Sequence, residues 1–215
     1  MPTAREALLD AALAALAGLP WSAVRMVDVA SAAGVSRQTL YNEFGSKEGL
    51  ARALVRREAD AYVRGVERLL SAPAAPERNL AAVAEWTVGV ARARPLLRAL
   101  LTGCWSERLP APRPARARAR AAGLPVQRRA DAGPPSPAEL LGQARDLAAA
   151  ALLAAHRTED EAEASRLCEI VLRLTLSCVV APPDPADPVR LVREELARMR
   201  VRQSLSASNP RAGDR

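Results

Sequence analysis

The apolar residues of this chain recur mostly three or four positions apart, the spacing of one face of an α-helix. Glycines and prolines divide this pattern into segments of helical length. The pattern predicts an all-α protein, with three short helices within residues 3–50, a connecting helix over 46–72 and five later helices. The later helices are expected over 77–94, 95–101, 137–156, 158–181 and 188–203.

Residues 104–136 interrupt the helical pattern, because seven prolines fall between positions 110 and 137. We expect a mobile, solvated loop here. Seven arginines in the same stretch leave open an arm that binds nucleic acid. The predicted organisation is therefore a head of residues 1–50, a second domain over 51–203 with this irregular segment, and a disordered tail over 204–215.

Composition adds little to this picture beyond a preference for helices. The 215 residues are 3% aromatic, and their formal net charge is +7. Basic charge favours nucleic-acid partners, but residues 1–52 carry five basic and five acidic side chains and sum to zero. Residues 104–136 account for most of the excess. Net charge alone therefore does not identify a DNA-binding face.

The residue types needed for metal or thiol chemistry are scarce. The three cysteines form no CxxC pair, and His156 is the only histidine. This argues against a zinc site or a Cys/His catalytic pair and suits reduced thiols. The sequence shows no cleavable leader and no apolar run that would span a bilayer. We expect a cytoplasmic protein that has no cofactor, is not an enzyme and does not bind membranes.

The stretch from Met26 to Leu50 has the pattern of two short helices and the start of a third. Gly34 supplies the permissive backbone of a tight turn, and Ser36 is a suitable N-cap for the second helix. Leu40 and Phe44 then lie on one face of that helix, four residues apart. Two helices joined by a short glycine-containing turn form the unit whose second helix enters the DNA major groove.

Specific residues of this stretch resemble the DNA-binding domain of the TetR (tetracycline repressor) family. The matching residues are Ala30, Ala33, Gly34, Val35, Ser36, Thr39, Leu40, Tyr41, Phe44, Ser46, Lys47, Glu48 and Leu50. The resemblance covers about the first fifty residues, and beyond them it is one of helix layout only. It implies an all-helical, dimeric transcriptional regulator that responds to a ligand.

The resemblance and side-chain chemistry together indicate which residues contact DNA. Arg37 can donate two hydrogen bonds to guanine, or bind phosphate only. Gln38 stands where relatives often have glycine and can pair with adenine, and Asn42 on the same face can reach a base or the backbone. The resemblance assigns phosphate contacts to Thr39, Tyr41 and Lys47.

Three further polar residues flank this set. Ser36 can act both as a cap and as a phosphate donor. Arg25 stands where relatives usually carry threonine at the start of the first motif helix, so it could replace that contact with a charged one, but the helix cap is then unexplained. Glu43 is expected to pair with a nearby arginine rather than to read cytosine.

The second domain offers candidates for a ligand site and for a dimer surface. An apolar set suits a small hydrophobic ligand, although core packing explains most of its members equally well: Trp86, Val90, Leu97, Leu101, Cys104 and Trp105. In the family the last two helices form a four-helix bundle with a second copy, which indicates a dimer interface of Leu167, Ile170, Val171, Leu174, Cys178, Val192, Leu196 and Met199. Alternatively, the helix over 158–181 is simply the centre of its own domain.

These features favour a homodimeric repressor that binds double-stranded DNA at a palindromic operator and leaves it when a small hydrophobic ligand binds. One alternative is a regulator of the same family that responds to a partner protein or to nothing. A different class, a helical enzyme or lipid carrier, would need a cluster of acids, bases or nucleophiles in the second domain, and the sequence offers none.

Overall fold

The computed structural model describes residues 3–111, 134–156, 161–184 and 186–207, and of His156 and residues 200–207 only the backbone. Within these ranges every regular element is a helix, which confirms the predicted fold class. The helices are α1 (Ala4–Gly18), α2 (Met26–Ala32), α3 (Arg37–Phe44), α4 (Lys47–Leu70), α5 (Pro76–Ala93), α6 (Pro95–Thr102), α7 (Pro137–His156), α8 (Glu161–Val180) and α9 (Arg190–Ala207).

Contacts divide the chain into two compact units. The first unit comprises Met1–Tyr62 and Pro95–Ala138, and the second comprises Val63–Arg94 and Glu139–Arg215. This division differs from a boundary at residue 50, because the first half of α4 and all of α6 fall in the first unit. Leu50, Leu54 and Val55, which lie in that half of α4, are fully buried.

In the first unit, α1, α2 and α3 pack against one another in pairs. The predicted capping box starts α1, since Thr3 accepts from the backbone N–H of Glu6 and the Glu6 carboxylate accepts from the backbone N–H of Thr3. The buried side chains of these three helices include Leu8, Leu9, Ala12, Val29, Ala30, Leu40 and Phe44. This core fixes the position of α3.

In the second unit, α5, α8 and α9 pack together. Two ion-pair networks link its helices. The Arg193 guanidinium bonds Glu85 of α5 and Asp187, which precedes α9, at 2.6 Å each. Arg145 of α7 bonds Glu169 of α8 at 3.5 Å.

The sequence predicted two irregular regions, the segment over 104–136 and the tail over 204–215, and the structure describes part of each. Residues 104–111 and 134–136 contain no helix, as expected, while 112–133 lie outside the described residues. Helix α9 continues to Ala207, four residues beyond the predicted end of the last helix at 203. Residues 208–215 lie outside the described part of the chain. In the described ranges, no helix is both long and apolar enough to cross a bilayer.

Candidate nucleic-acid interface

The second motif helix, α3, begins and ends at residues that fix its length. Ser36 has an extended backbone (φ −71°, ψ 153°), and its hydroxyl accepts from the N–H of Thr39 at 3.0 Å, which confirms the predicted N-cap. Gly34 and Gly45 have φ values of 68° and 69°, which L side chains rarely adopt. Because a glycine occupies the turn on each side, α3 is a two-turn helix with defined ends.

One face of α3 is buried and the other is open and polar. Leu40 is fully buried and Phe44 is 8% exposed, so the apolar side faces the core of the first unit. Four of the predicted DNA-binding residues are exposed on the remaining surface of the helix: Arg37, Gln38, Tyr41 and Asn42. Thr39 is half-buried, and its hydroxyl lies 2.9 Å from that of Ser36. The structure therefore brings the predicted reading residues together on a single surface.

The two amides on this surface are hydrogen-bonded to each other. Gln38 donates from Nε2 to Oδ1 of Asn42 at 2.8 Å, across one helical turn. Sequence reasoning placed both residues on one face but did not foresee that one would orient the other. The only available signal was their i, i+4 spacing.

Glu43 pairs with an arginine, as expected, and that arginine is Arg5 of α1. The Arg5 guanidinium donates through Nη1 to the Glu43 backbone carbonyl at 3.2 Å and to its carboxylate at 3.3 Å. The same guanidinium lies over the Phe44 ring, 4.6 Å from its centre. Arg5 thus ties the start of α1 to the end of α3. Glu43 consequently has a structural partner.

Lys47, at the start of α4, borders the same head. Its ammonium donates to the backbone carbonyl of Ser22 at 3.1 Å and lies 5.2 Å from the Trp21 ring centre. An ammonium has three N–H bonds, so this contact leaves donors for a phosphate. The backbone N–H of Trp21 in turn donates to the Arg108 carbonyl at 2.8 Å, which holds the segment after α6 against this turn. No sequence signal indicated the Trp21–Arg108 contact.

Arg25 occupies the N-cap position of α2 without capping it. Its side chain makes no hydrogen bond to the backbone of the first turn and instead forms an exposed ion pair with Asp28 at 3.2 Å. The guanidinium is 71% exposed and can exchange this partner for a phosphate at little cost. The sequence left the cap of α2 unexplained, and Arg25 does not supply one.

The close approach of α3 and α4 depends on Gly49, which sequence reasoning missed. A Cβ at this position would overlap the backbone carbonyl oxygen of Phe44. The Gly49 N–H donates to the Ser46 hydroxyl at 3.1 Å, which confirms Ser46 as the cap of α4. A glycine in a helix normally lowers stability, so its presence in the first turn of α4 was a signal of this close approach.

The six predicted ligand residues are divided between the two units. Trp86 and Val90 belong to the second unit, whereas Leu97, Leu101, Cys104 and Trp105 belong to the first. Leu97 and Leu101 are buried, and a side chain on Gly65 would overlap the Trp86 ring, so Trp86 packs directly on the α4 backbone. A described cavity of about 160 Å³ in the second unit is lined instead by the end of α4, the start of α5 and α7.

The predicted dimer residues divide by burial. Val171, Cys178, Val192 and Leu196 are at most 3% exposed and already lie inside one protomer, so these four side chains are not available to a partner. Ile170 is 43% exposed, and Leu167, Leu174 and Met199 are half-buried. Val180, at 60% exposed, was not in the predicted set. The structure narrows the candidate surface to the outer side of α8 and the end of α9.

The buried cysteines are poor nucleophiles. Burial raises the pKa of Cys168 to about 12. Burial, followed by the nearby Asp187 carboxylate, also raises the pKa of Cys178. Reactive thiols need the opposite shift. Among the described residues, no three His, Cys, Asp or Glu side chains are grouped so as to hold a metal ion.

Comparison with known protein sequences points to the same part of the chain. Residues 8–54 match the family model of bacterial regulatory proteins of the tetR family. The HTH-type transcriptional regulator AlkX of Mycobacterium tuberculosis is 50% identical over 68 residues, which are 32% of this chain and 32% of AlkX. The match thus spans about a third of this curated relative.

Solved structures extend the likeness to most of the chain. The TetR family repressor AlkX from a Dietzia strain, implicated in biodegradation of n-alkanes, is 25% identical, with a TM-score of 0.54 over 93% of this chain and 95% of that one. A tetR-family regulator from Streptomyces coelicolor, 17% identical with a TM-score of 0.55 over 96% and 85% of the two chains, shares the fold. Together with the capped two-helix motif and its exposed polar face, these matches identify residues 8–54 as a DNA-binding head of the tetR family type, and over the rest of the chain the likeness is one of fold.

Proposed function

We propose that this protein is a homodimeric transcriptional repressor that binds a palindromic operator by inserting α3 of each protomer into the major groove. The observation that supports this most is the exposed polar surface of α3, held rigidly by its buried face and by the Ser36 cap. The major groove is wide enough to admit an α-helix. In helix-turn-helix proteins the amino-terminal residues of the second helix contact the base edges there.

Each residue of this surface has a role that its chemistry supports. Arg37 and Gln38, in the first turn of α3, are the base-reading residues. The hydroxyl groups of Ser36, Thr39 and Tyr41 donate hydrogen bonds to phosphate. Lys47 and Arg25 add positive charge at the edge of this surface. Phosphate contacts hold the helix in register, and the base contacts supply specificity.

The open apolar side of α8, together with α9, supports the proposed dimer. Ile170 and Val180 are large apolar side chains left exposed on one helix, and Leu167 and Leu174, three and four positions from Ile170, are half-buried. A second copy related by two-fold symmetry would cover this surface and present two heads to two half-sites of a palindrome.

Release by a small hydrophobic ligand is the second part of the proposal. The Dietzia repressor, 25% identical over nearly the whole chain, is implicated in n-alkane biodegradation, so we propose a ligand with an alkyl chain. The cavity of about 160 Å³ lined by the end of α4, the start of α5 and α7 is smaller than the roughly 300–1,000 Å³ of most ligand sites. A ligand bound there would therefore stabilise a more open state, and only its preference for that state would drive release from DNA.

A regulator of the same family with no small-molecule ligand remains the alternative, and one experiment separates the two. The purified chain is added to duplex DNA from the region flanking its own gene, at low salt, with and without n-alkanes and fatty acids of graded length. We expect a shifted complex that Arg37→Ala weakens and that one of these compounds dissociates. The matched control is Arg78→Ala, which removes an exposed arginine of α5.

The outcomes distinguish the parts of the proposal. A complex that no compound dissociates would contradict ligand release and favour the alternative. The absence of any complex at low salt would contradict DNA binding itself. We further propose that the protein acts in the cytoplasm, without catalysis, because DNA is its partner.

A further inference from the structure

The Gln38–Asn42 hydrogen bond on α3 has a direction, and that direction matters for reading DNA. Gln38 donates from Nε2, and Asn42 accepts through Oδ1, at 2.8 Å. Both side chains are exposed on the surface proposed to enter the major groove. This inference rests on the proposed function, since it concerns which base that surface selects.

A free glutamine can present either end of its amide to a base. Its carbonyl oxygen accepts hydrogen bonds, and its amino group carries two N–H donors. In the observed arrangement one N–H bonds Asn42, so Gln38 retains one acceptor and one donor. Adenine presents the complementary pair in the major groove, an N6 amino donor and an N7 acceptor, whereas guanine presents two acceptors.

The opposite direction would discriminate less between the purines. If Asn42 instead donated its amino group to the Gln38 carbonyl, both Gln38 N–H donors would be free for the two acceptors of guanine, while the second lone pair of the carbonyl could still accept from adenine. The observed direction, which leaves Gln38 one donor and its acceptor, thus favours adenine over guanine. With its own carbonyl engaged, Asn42 keeps two donors for a phosphate or for an acceptor on the neighbouring base.

We propose that Asn42 is a positioning residue that fixes the amide of Gln38, and that Gln38 in this orientation selects an A·T pair in each half-site. The buried face of α3 supports this, because Leu40 and Phe44 set the rotation of the helix that carries both amides. An i, i+4 pair of this kind stabilises a helix only weakly. The role of Asn42 should therefore be visible in base preference rather than in folding.

The test is selection of bound sequences from a randomised duplex pool by the full-length protein. Four variants are compared with the wild type: Gln38→Ala, Asn42→Ala, the double variant, and the control Gln143→Ala, which removes an exposed glutamine of α7 in the second unit. We expect the wild type and the control to prefer adenine at one position of each half-site by about tenfold or more. Gln38→Ala should abolish this preference, and Asn42→Ala should reduce it severalfold.

The double variant and a modified base complete the test. The double variant should match Gln38→Ala, because Asn42 acts on the adenine through Gln38. Replacing the preferred adenine by 7-deazaadenine, which lacks the N7 acceptor, should weaken the wild type about tenfold and leave Gln38→Ala unchanged. Helix content measured by circular dichroism should be the same for all variants.

Three results would overturn the inference while leaving the proposed function intact. They are an operator whose base preference does not depend on Gln38, a preference that Asn42→Ala leaves unchanged, and a Gln38-dependent preference for guanine. A wild-type protein that selects no sequence and binds no duplex at low salt would overturn the proposed function and this inference together.

Discussion

Arg5, in the first turn of α1, lies over the ring of Phe44, the last residue of α3, with the guanidinium carbon 4.6 Å from the ring centre. The same guanidinium donates to the Glu43 backbone carbonyl at 3.2 Å. That carbonyl is among the last of α3, where a helix leaves carbonyls without a partner and favours a positive charge. A residue of α1 therefore helps to hold the proposed reading helix.

Arg5→Ala should weaken operator binding without removing a group that touches DNA. The cation–π interaction contributes about 0.5–1 kcal/mol at an exposed site, so we expect a modestly lower free energy of unfolding. Affinity should fall severalfold at every salt concentration. The slope of log affinity against log salt concentration should stay the same, because Arg5 contacts α3 and not a phosphate. Denaturant unfolding and operator titrations check this. A shallower slope would show that Arg5 contacts phosphate instead.

Gly49→Ala should destabilise the first unit. The added Cβ would overlap the backbone carbonyl of Phe44, which no side-chain rotation can relieve. We expect the free energy of unfolding to fall by about 1–3 kcal/mol, the usual range for overpacking. The matched control is Gly89→Ala in α5, where the added Cβ meets nothing within 4 Å and helix propensity predicts a gain of up to about 1 kcal/mol. Thermal unfolding of both variants tests this prediction. Equal changes in melting temperature for the two variants would contradict the close approach of α3 and α4.

Glu169 should make stability depend on acid pH. A hydrogen bond from Arg173, reinforced by Arg145, lowers the pKa of Glu169 below its usual range. A lowered carboxyl pKa stabilises the fold at neutral pH, and this contribution disappears as pH falls through the folded-state pKa. Glu169→Gln should therefore unfold at a lower temperature than the wild type at pH 7 and at about the same temperature once both are acidified. Equal melting temperatures at pH 7 would contradict the network.

Ile170→Asp should weaken the dimer without unfolding the protomer. Ile170 is 43% exposed, so a carboxylate there costs little in one protomer but would be buried without a partner in an interface. We expect sedimentation velocity to show a dimer dissociation constant raised by about tenfold or more. Ala150→Asp, at an exposed position of α7, serves as the control. A dimer unaffected by Ile170→Asp would mean that α8 is not the interface.

Sequence alone predicted what depends on residues close together in the chain. The Ser36 cap, the Thr3–Glu6 capping box and the turn at Gly34 each involve a few consecutive residues, and each was confirmed. Such caps bond backbone groups that the helix itself leaves without partners, so their residue types carry a local signal.

Features that depend on tertiary packing were not predictable in the same way. The sequence indicated that Glu43 needs an arginine, but the partner, Arg5, lies 38 positions away. The Trp21–Arg108 contact joins backbone groups, which every residue carries, so its residue types give no signal. Likewise, the apolar pattern of α8 did not separate the side that packs inside the protomer from the side left open at Ile170.

The measurement that tests the central claim most directly is the salt dependence of operator binding by the wild type and by the double variant Arg37→Ala/Lys47→Ala. If α3 enters the groove with these two cations against DNA, the double variant should bind more weakly. The slope of the logarithm of its binding constant against the logarithm of the salt concentration should be shallower by about 0.9 for each phosphate that it no longer neutralises. Arg78→Ala should match the wild type. Superimposable titrations for the wild type and the double variant would contradict the account.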